Sequence, residues 1–366
     1  MKHKEPVALL LIGAVLSGVI TAGAAEAGTA ADPLIALNWL KETFFPSAVS
    51  QAEERVEQGL DAVGDQITAP ATRGEELRVK RGDILSLESG GMLTHLAGTV
   101  SVTADASGAV VDVTAGEELP SSGGTLSADH RYLSAGVSKV FFSVTSDTAV
   151  VRLNGGYQLS PSGETDYNAL AGALKELGLF RGTDTPYGSG YDLELAPTRI
   201  QGLIMFLRLM GQEQAALAYT GAGVTFADVP DWALPYVAYA YDMGYTKGQD
   251  ADAQGRVIFG TEGALTARDY MTFILRALGH KEDTDFQWLT ALDDAQTLGV
   301  LTAGEVQQLS QRPDFLRAQV AYLSYVSLSA KMAGEGNTLA DHLAAAGAID
   351  KTVLQKVAAE VELKRP

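Results

Sequence analysis

The 366-residue chain contains no cysteine, and that absence closes several routes at once. Disulfides, thiolate metal sites and a cysteine nucleophile are all excluded. Positive charge is scarce: 27 Lys and Arg stand against 45 Asp and Glu, a formal net charge of −18. Nucleic-acid binding draws most of its affinity from clustered Lys and Arg. No basic block offsets the acidic average locally, so a phosphate-backbone partner is excluded. Histidine is rare, five in all. His95 and His130 have no partner at metal-ligand spacing and read as surface or turn residues. Beyond the N-terminus, no apolar run approaches the ~18 residues a membrane-spanning helix needs.

Catalytic groupings are missing as well. The chain has no G-x-S-x-G, no H-E-x-x-H and no Ser/His/Asp arrangement, and no paired-carboxylate motif precedes residue 160. Glu75-Glu76 reads as the solvated start of a strand. A protein without catalytic residues, cofactor or bound metal is expected. Asp250-x-Asp252-x-Gln254-Gly255 resembles the opening of a calcium loop. Its bidentate acid, however, falls at Glu262, one residue past the required position, and the third ligand is a glutamine.

What is present begins with an address. Lys2 and Lys4 precede an apolar run from Val7 to about Ala25, closed by Ala25-Glu26-Ala27. Those are the three parts of a secretory signal, with cleavage expected after Ala27 and Ala24 as the second choice. A retained N-terminal anchor is the rival reading. The hydrophobic fraction of 46% is that of a globular protein able to bury a core.

Composition then shifts twice. Residues 28–65 read as a helical stem, because Val49, Ala52, Val56, Leu60 and Val63 recur at three- and four-residue spacing. Residues 66–160 read as a small all-β domain of six or seven short strands, a sandwich or a barrel. Leu77–Lys80, Val100–Thr103, Val110–Val113, Phe141–Val144 and Ala149–Leu153 are short β-rich runs with Gly, Ser and Asp turns between them. Arg81-Gly82-Asp83 spells an adhesion tripeptide, but a Gly-Asp turn between strands explains it.

From Asp166 onward the pattern is helical and repeats. Leu177-Gly178-Leu179 is followed by Thr198-Arg199 and a helix ending Leu207-Arg208-Leu209-Met210-Gly211. Met243-Gly244-Tyr245 is followed by Thr266-Ala267-Arg268 and a helix ending Arg276-Ala277-Leu278-Gly279. Leu298-Gly299-Val300 is followed by Leu316-Arg317-Ala318-Gln319. The first glycines stand 66 and then 55 residues apart. One helix–loop–helix unit is therefore used three times, at 161–222, 223–282 and 283–350, with 351–366 as a tail. Such units bury their apolar faces on one another. Thr198 with Gln201, and Thr266 with Asp269, have the spacing of a capping box. The glycine after each first helix suits a left-handed C-cap. Arg208 and Arg276, late in their helices, read as partners of the helix C-terminus or of intramolecular ion pairs.

The middle copy carries a resemblance. Phe226-Ala227-Asp228-Val229…Trp232-Ala233, then Gly244-Tyr245-Thr246-Lys247-Gly248, then Leu265-Thr266-Ala267-Arg268 and a close at Gly279, resembles an S-layer homology (SLH) repeat. The resemblance covers about half of the chain, residues 166–350. It implies an α+β multidomain protein whose all-α part is a pseudo-threefold assembly of three SLH-like repeats. It further implies non-covalent anchoring of an exported cell-surface protein to a secondary cell-wall polysaccharide, an anionic and often pyruvylated polymer. Other envelope proteins are possible further partners. A guanidinium can hold a pyruvate carboxylate through a bidentate pair. Arg199 occupies the place of the family's ligand-facing arginine, followed by Arg317, with Trp232, Lys247 and Arg268 behind. In copy two the arginine is shifted one position, about 100° around the helix; in copy three Leu316 replaces the threonine. Trp288 and Asp293-Asp294 are worn remnants of the start of copy three. On its own packing, Trp232 reads as a core residue. A wall-associated enzyme, or a glycan- or solute-binding protein working through the β domain, is the alternative.

Overall fold

The computed structural model describes residues 46–47, 49–50, 74–105, 109–135, 139–185, 188–190, 192–221 and 224–366. The chain forms two units, Met1–Gly74 and Glu75–Pro366. The signal segment and nearly all of the stem lie outside the described residues. Among the described residues, no helix is long and apolar enough to cross a membrane.

The second unit is α+β: an all-β region followed by a helical one. Eleven short strands run from β1 (Glu75–Lys80) to β11 (Tyr157–Ser160). They form a six-stranded sheet in the order β1, β10 (Thr148–Asn154), β3 (Met92–Ala97), β8 (Arg131–Ser134), β5 (Val110–Asp112), β6 (Glu117–Glu118), and a five-stranded sheet in the order β11, β2 (Ile84–Leu87), β9 (Val140–Val144), β4 (Val100–Ala104), β7 (Gly124–Thr125). Alternation explains the packing. Leu85 and Leu87 of β2 (Ile84–Leu87) and Val140, Phe142 and Val144 of β9 (Val140–Val144) point inward from one sheet. Val79, Leu93, Tyr132 and Val151 meet them from the other, and these apolar faces form one core, a sandwich rather than a barrel.

His95 departs from expectation. It is 2% exposed, because the alternation of β3 (Met92–Ala97) turns it inward, and its Nδ1 lies 3.1 Å from the Ser127 carbonyl. His130 directly follows the turn at 128–129 and is partly exposed, its Nδ1 2.7 Å from Asp112 Oδ2. The Arg81-Gly82-Asp83 tripeptide is a structural turn. Gly82 has φ +79°, and Asp83 is 4% exposed and accepts from the amides of Lys80 and Ser162.

The helical region runs α1 (Tyr167–Glu176), α2 (Arg199–Leu209), α3 (Glu213–Leu217), α4 (Leu234–Asp242), α5 (Ala267–Ala277) and α6 (Ala291–Thr297). It continues with α7 (Ala303–Gln311), α8 (Arg317–Ser327), α9 (Leu339–Ala345) and α10 (Lys351–Glu360). The stretch 351–366 thus holds a helix, and α10 packs on α1. The three long helices α2, α5 and α8 each contact the other two. Their inward faces supply Leu203, Phe206, Tyr270, Phe273 and Leu323, all at most 1% exposed. Fully burying each such side chain is worth about 1.5–3 kcal/mol.

Local chemistry sets the helix ends. Thr198 and Thr266 each accept from the backbone amide three residues on, and Gln201 and Asp269 reach back to the cap amide. At α8 half of the box survives: Gln319 Oε1 accepts from the Leu316 amide at 2.9 Å, while leucine offers no side-chain acceptor. The glycines closing the first helices, Gly178, Gly244 and Gly299, have φ of +78°, +75° and +75°, the left-handed cap expected of them. Copies one and two place a short hairpin between their helices, β12–β13 (Thr183–Thr185, Gly188–Gly190) and β14–β15 (Asp250–Ala251, Val257–Ile258). Copy three places α7 there instead.

Candidate functional site

The long helices meet through one recurring contact. In α2 the first two amides donate to carbonyls of the loop before α5: Arg199 to Gly263 at 2.8 Å and Ile200 to Thr261 at 3.3 Å. In α8 they donate to the loop before α2: Arg317 to Leu195 at 2.8 Å and Ala318 to Leu193 at 3.1 Å. Both times the acceptors lie four and six residues before the first residue of the long helix. By the same register, the amides of Ala267 and Arg268 at the start of α5 would donate to Pro313 and Gln311. Among the described residues no backbone carbonyl accepts from either. The third junction is open. A cavity of about 500 Å³ occupies it, with Thr266 and Arg268 on one wall and Ser310, Arg312 and Asp314 on the other.

A second cavity of about 300 Å³ lies at the junction of α2 and α5. Arg199, 6% exposed, donates from Nη1 to Asp269 Oδ1 at 2.8 Å, linking the first residue of one long helix to the third of another. Its guanidinium carbon sits 5.2 Å from the ring centre of Phe259 and 5.5 Å from that of Phe273, a cation–π arrangement in a desolvated place. Its buried Nε has no hydrogen-bond partner. Trp288 Nε1 donates to the same Asp269 oxygen at 3.0 Å, and Arg268 lies over the Trp288 ring at 4.7 Å. Trp288, 41% exposed, therefore stands between the cavities, lining the smaller one while its stacked partner Arg268 lines the larger.

The small cavity's wall holds three cations, Arg199, Lys247 and Arg276, and two carboxylates, Asp269 and Glu282. The excess is positive in a chain of charge −18. Burial alone would raise the Asp269 carboxyl. The Thr266 hydroxyl, Arg199 and the Trp288 indole outweigh it and hold the group below the ordinary carboxylate range. Glu282 follows the same logic: burial raises it, and Lys247 and Arg276 bring it below its usual value. Lys247 Nζ is 2.6 Å from Glu282 Oε2, yet its side chain remains 62% exposed. Arg276 also donates to the Tyr245 carbonyl at 2.8 Å, and Arg208 pairs with Glu213 at 2.8 Å.

Of the five residues singled out from sequence, Arg199 and Lys247 thus share one cavity, and Arg268 lines its neighbour. Arg317 is elsewhere. It is 6% exposed, its Nη2 donates to the Arg181 carbonyl at 3.4 Å, and burial lowers its ordinary value with Asp192 opposing. Trp232 is not a core residue, since it is 58% exposed, and it lines neither cavity. The residues that sequence reasoning passed over as members of the site are Asp269, Arg276, Glu282, Trp288 and Arg312. Asp269 caps α5 and pairs with Arg199, and the capping role hides the second one in the sequence.

Asp252 accepts from the amides of Gln254 and Arg256 and from the Arg256 side chain, so it closes the β14–β15 turn. Among the described residues, no group of three or more His, Asp or Glu is arranged to hold a metal ion. No protein-family model matches the chain, and no curated protein matches it either.

Proposed function

We propose that this is an exported, non-catalytic envelope protein. Its three SLH-like repeats form a pseudo-threefold helical anchor and hold an anionic, pyruvylated secondary cell-wall polymer non-covalently. The observation that carries the reading is the cation-rich cavity built on Arg199, Lys247 and Arg276 at a junction between repeats, within a strongly acidic chain. The whole-molecule field repels a polyanion, so attraction must be local and short-ranged. Arg199 is too buried to be a simple surface contact. Lys247, exposed at the cavity mouth, and Trp288 with its stacked Arg268 are the groups an entering sugar acid meets first. A sugar ring can rest on the indole while its carboxylate approaches Lys247 and displaces Glu282. The recurring junction contact between the long helices and their shared caps support the repeat reading independently of charge.

The test is co-sedimentation with purified Gram-positive-type wall sacculi that carry a pyruvylated polymer. The protein should pellet with intact sacculi and remain in solution with sacculi stripped of that polymer. Lys247→Gln should weaken pelleting by about tenfold while moving stability by no more than about 0.5 kcal/mol, since a half-exposed ion pair contributes little. Equal pelleting with intact and stripped sacculi would remove the reading.

A further inference from the structure

We propose that the β domain is a working part of the binding module, with Asp147 as a positioning residue that holds Arg312 on the wall of the larger cavity. The inference rests on the polymer-binding reading above. It assigns the β domain a task in place of passive display.

Arg312 lies in the short segment between α7 and α8, the segment whose carbonyls fail to close the third junction. In the middle copy the corresponding stretch is held by Asp228, which accepts from the amides of Phe259, Gly260 and Thr261. Here the anchor comes from the other domain. Asp147 sits in the β9–β10 turn, 5% exposed, and accepts both terminal nitrogens of Arg312. Among the described residues it is the only acceptor of that guanidinium. The same carboxylate accepts from Gln319 Nε2 at 2.8 Å, and the other end of Gln319 caps α8. One acidic side chain thus fixes both the segment's arginine and the helix that follows.

Asp147 is itself held from within the β domain. Arg81 donates to Oδ1 at 3.0 Å from Nη2, and the Arg81 amide donates to the Asp147 carbonyl at 3.1 Å. The Arg81-Gly82-Asp83 turn secures the rest of the seam: Asp83 accepts from the Ser162 amide at 2.7 Å, and the Ser162 hydroxyl donates to the Arg81 carbonyl at 2.6 Å. Two arginines share one carboxylate, a net positive charge among these three groups, beside a cavity where Arg268 and Arg312 face Asp293 and Asp314. An arginine held by two nitrogens presents its charge in one orientation, whereas an unpaired one samples many rotamers.

The test uses the full exported chain and the same sacculi. Asp147→Asn preserves the shape and an acceptor for Gln319 but removes the charge that orients Arg312. Wall affinity should fall about tenfold, and Asp147→Glu should restore part of it. Arg312→Gln should give the same loss, and adding Asp147→Asn to it should cost nothing more, because Asp147 acts through Arg312. A merely structural seam would instead lower the melting temperature of Asp147→Asn and leave affinity intact, which overturns the proposal. So does a double variant that binds more weakly than Arg312→Gln alone. Should Asp147→Asn fail to fold, Arg312→Lys decides: it keeps the charge and loses the two-point grip, and native affinity in that variant overturns the proposal. Lys247→Gln separates the two ideas. If it weakens pelleting while the Asp147 and Arg312 variants do not, only the present inference falls. If no pelleting depends on the polymer, the underlying reading falls.

Discussion

The junction between α2 and α5 and the junction between α5 and α8 each set one long helix beside another, yet they are built differently. At the first, the loop before α5 supplies carbonyls to the start of α2, and Arg199 completes the seal by pairing with Asp269. At the second, α7 and Pro313 replace the hairpin, Ala267 replaces the arginine, and a cavity of about 500 Å³ remains. The difference shows that a long helix can have its start and its cap without the loop geometry that joins it to its neighbour. Closure is a property of the loop register, and the helix start only receives it. Where closure is lost, charge from outside the repeats, Asp147 of the β domain, takes over the task of holding the loop.

The largest expected effect breaks the closed junction. Arg199→Ala leaves Asp269 buried without its cation, which should cost about 3–5 kcal/mol in urea unfolding. Arg199→Ala with Asp269→Asn should recover a good part of that, because the stranded charge is then gone. If Arg199→Ala unfolds at the native urea midpoint, the ion pair does not seal the junction. The same result bears on function. A loss of wall binding in Arg199→Ala is ambiguous between ligand contact and collapse of the junction, so the exposed Lys247 is the cleaner probe.

A smaller effect comes from pH. The Asp269 carboxyl lies below its ordinary 3.8 in the folded state, so it contributes stability that is present above that value. That contribution is lost as pH falls through the depressed native value. The melting temperature of the native chain should therefore drop faster below about pH 4 than that of Asp269→Asn, which lacks this group. Parallel acid profiles for the two proteins would show that the pair is not coupled to folding.

Leu316 stands at a cap position where threonine serves in the other two copies. Leu316→Thr should complete the box with Gln319 and stabilise α8 by about 1 kcal/mol, partly offset by the apolar contact it gives up. A destabilised variant would mean that the leucine is held there by packing.

Much of this was legible in the residue order. Thr198 with Gln201 and Thr266 with Asp269 announced two helix starts, because a cap is completed within three residues. The glycines at 178, 244 and 299 announced the ends of the first helices, because a left-handed residue is a local demand. The alternation of β-rich runs announced a sandwich or barrel without choosing between the two, and its six or seven strands fell short of eleven because the shortest, such as Glu117–Glu118 and Gly124–Thr125, carry no alternation to read. His95 was misplaced because inward or outward orientation depends on which face of the strand the opposite sheet covers.

Local sequence was thus enough for an all-β region followed by a helical one, for the caps of the long helices and for the scarcity of cations that makes each one informative. Those follow from interactions spanning a turn of helix or a pair of strand residues. Only the tertiary structure decided which cations matter together. Arg199 meets an aspartate 70 residues away, Arg312 one 165 residues away, and Trp232 turns to solvent while Trp288 divides two cavities. Such pairings depend on how loops of unequal length set one helix start against another. That register is a sum of many weak packing choices, and no short stretch of chain encodes it.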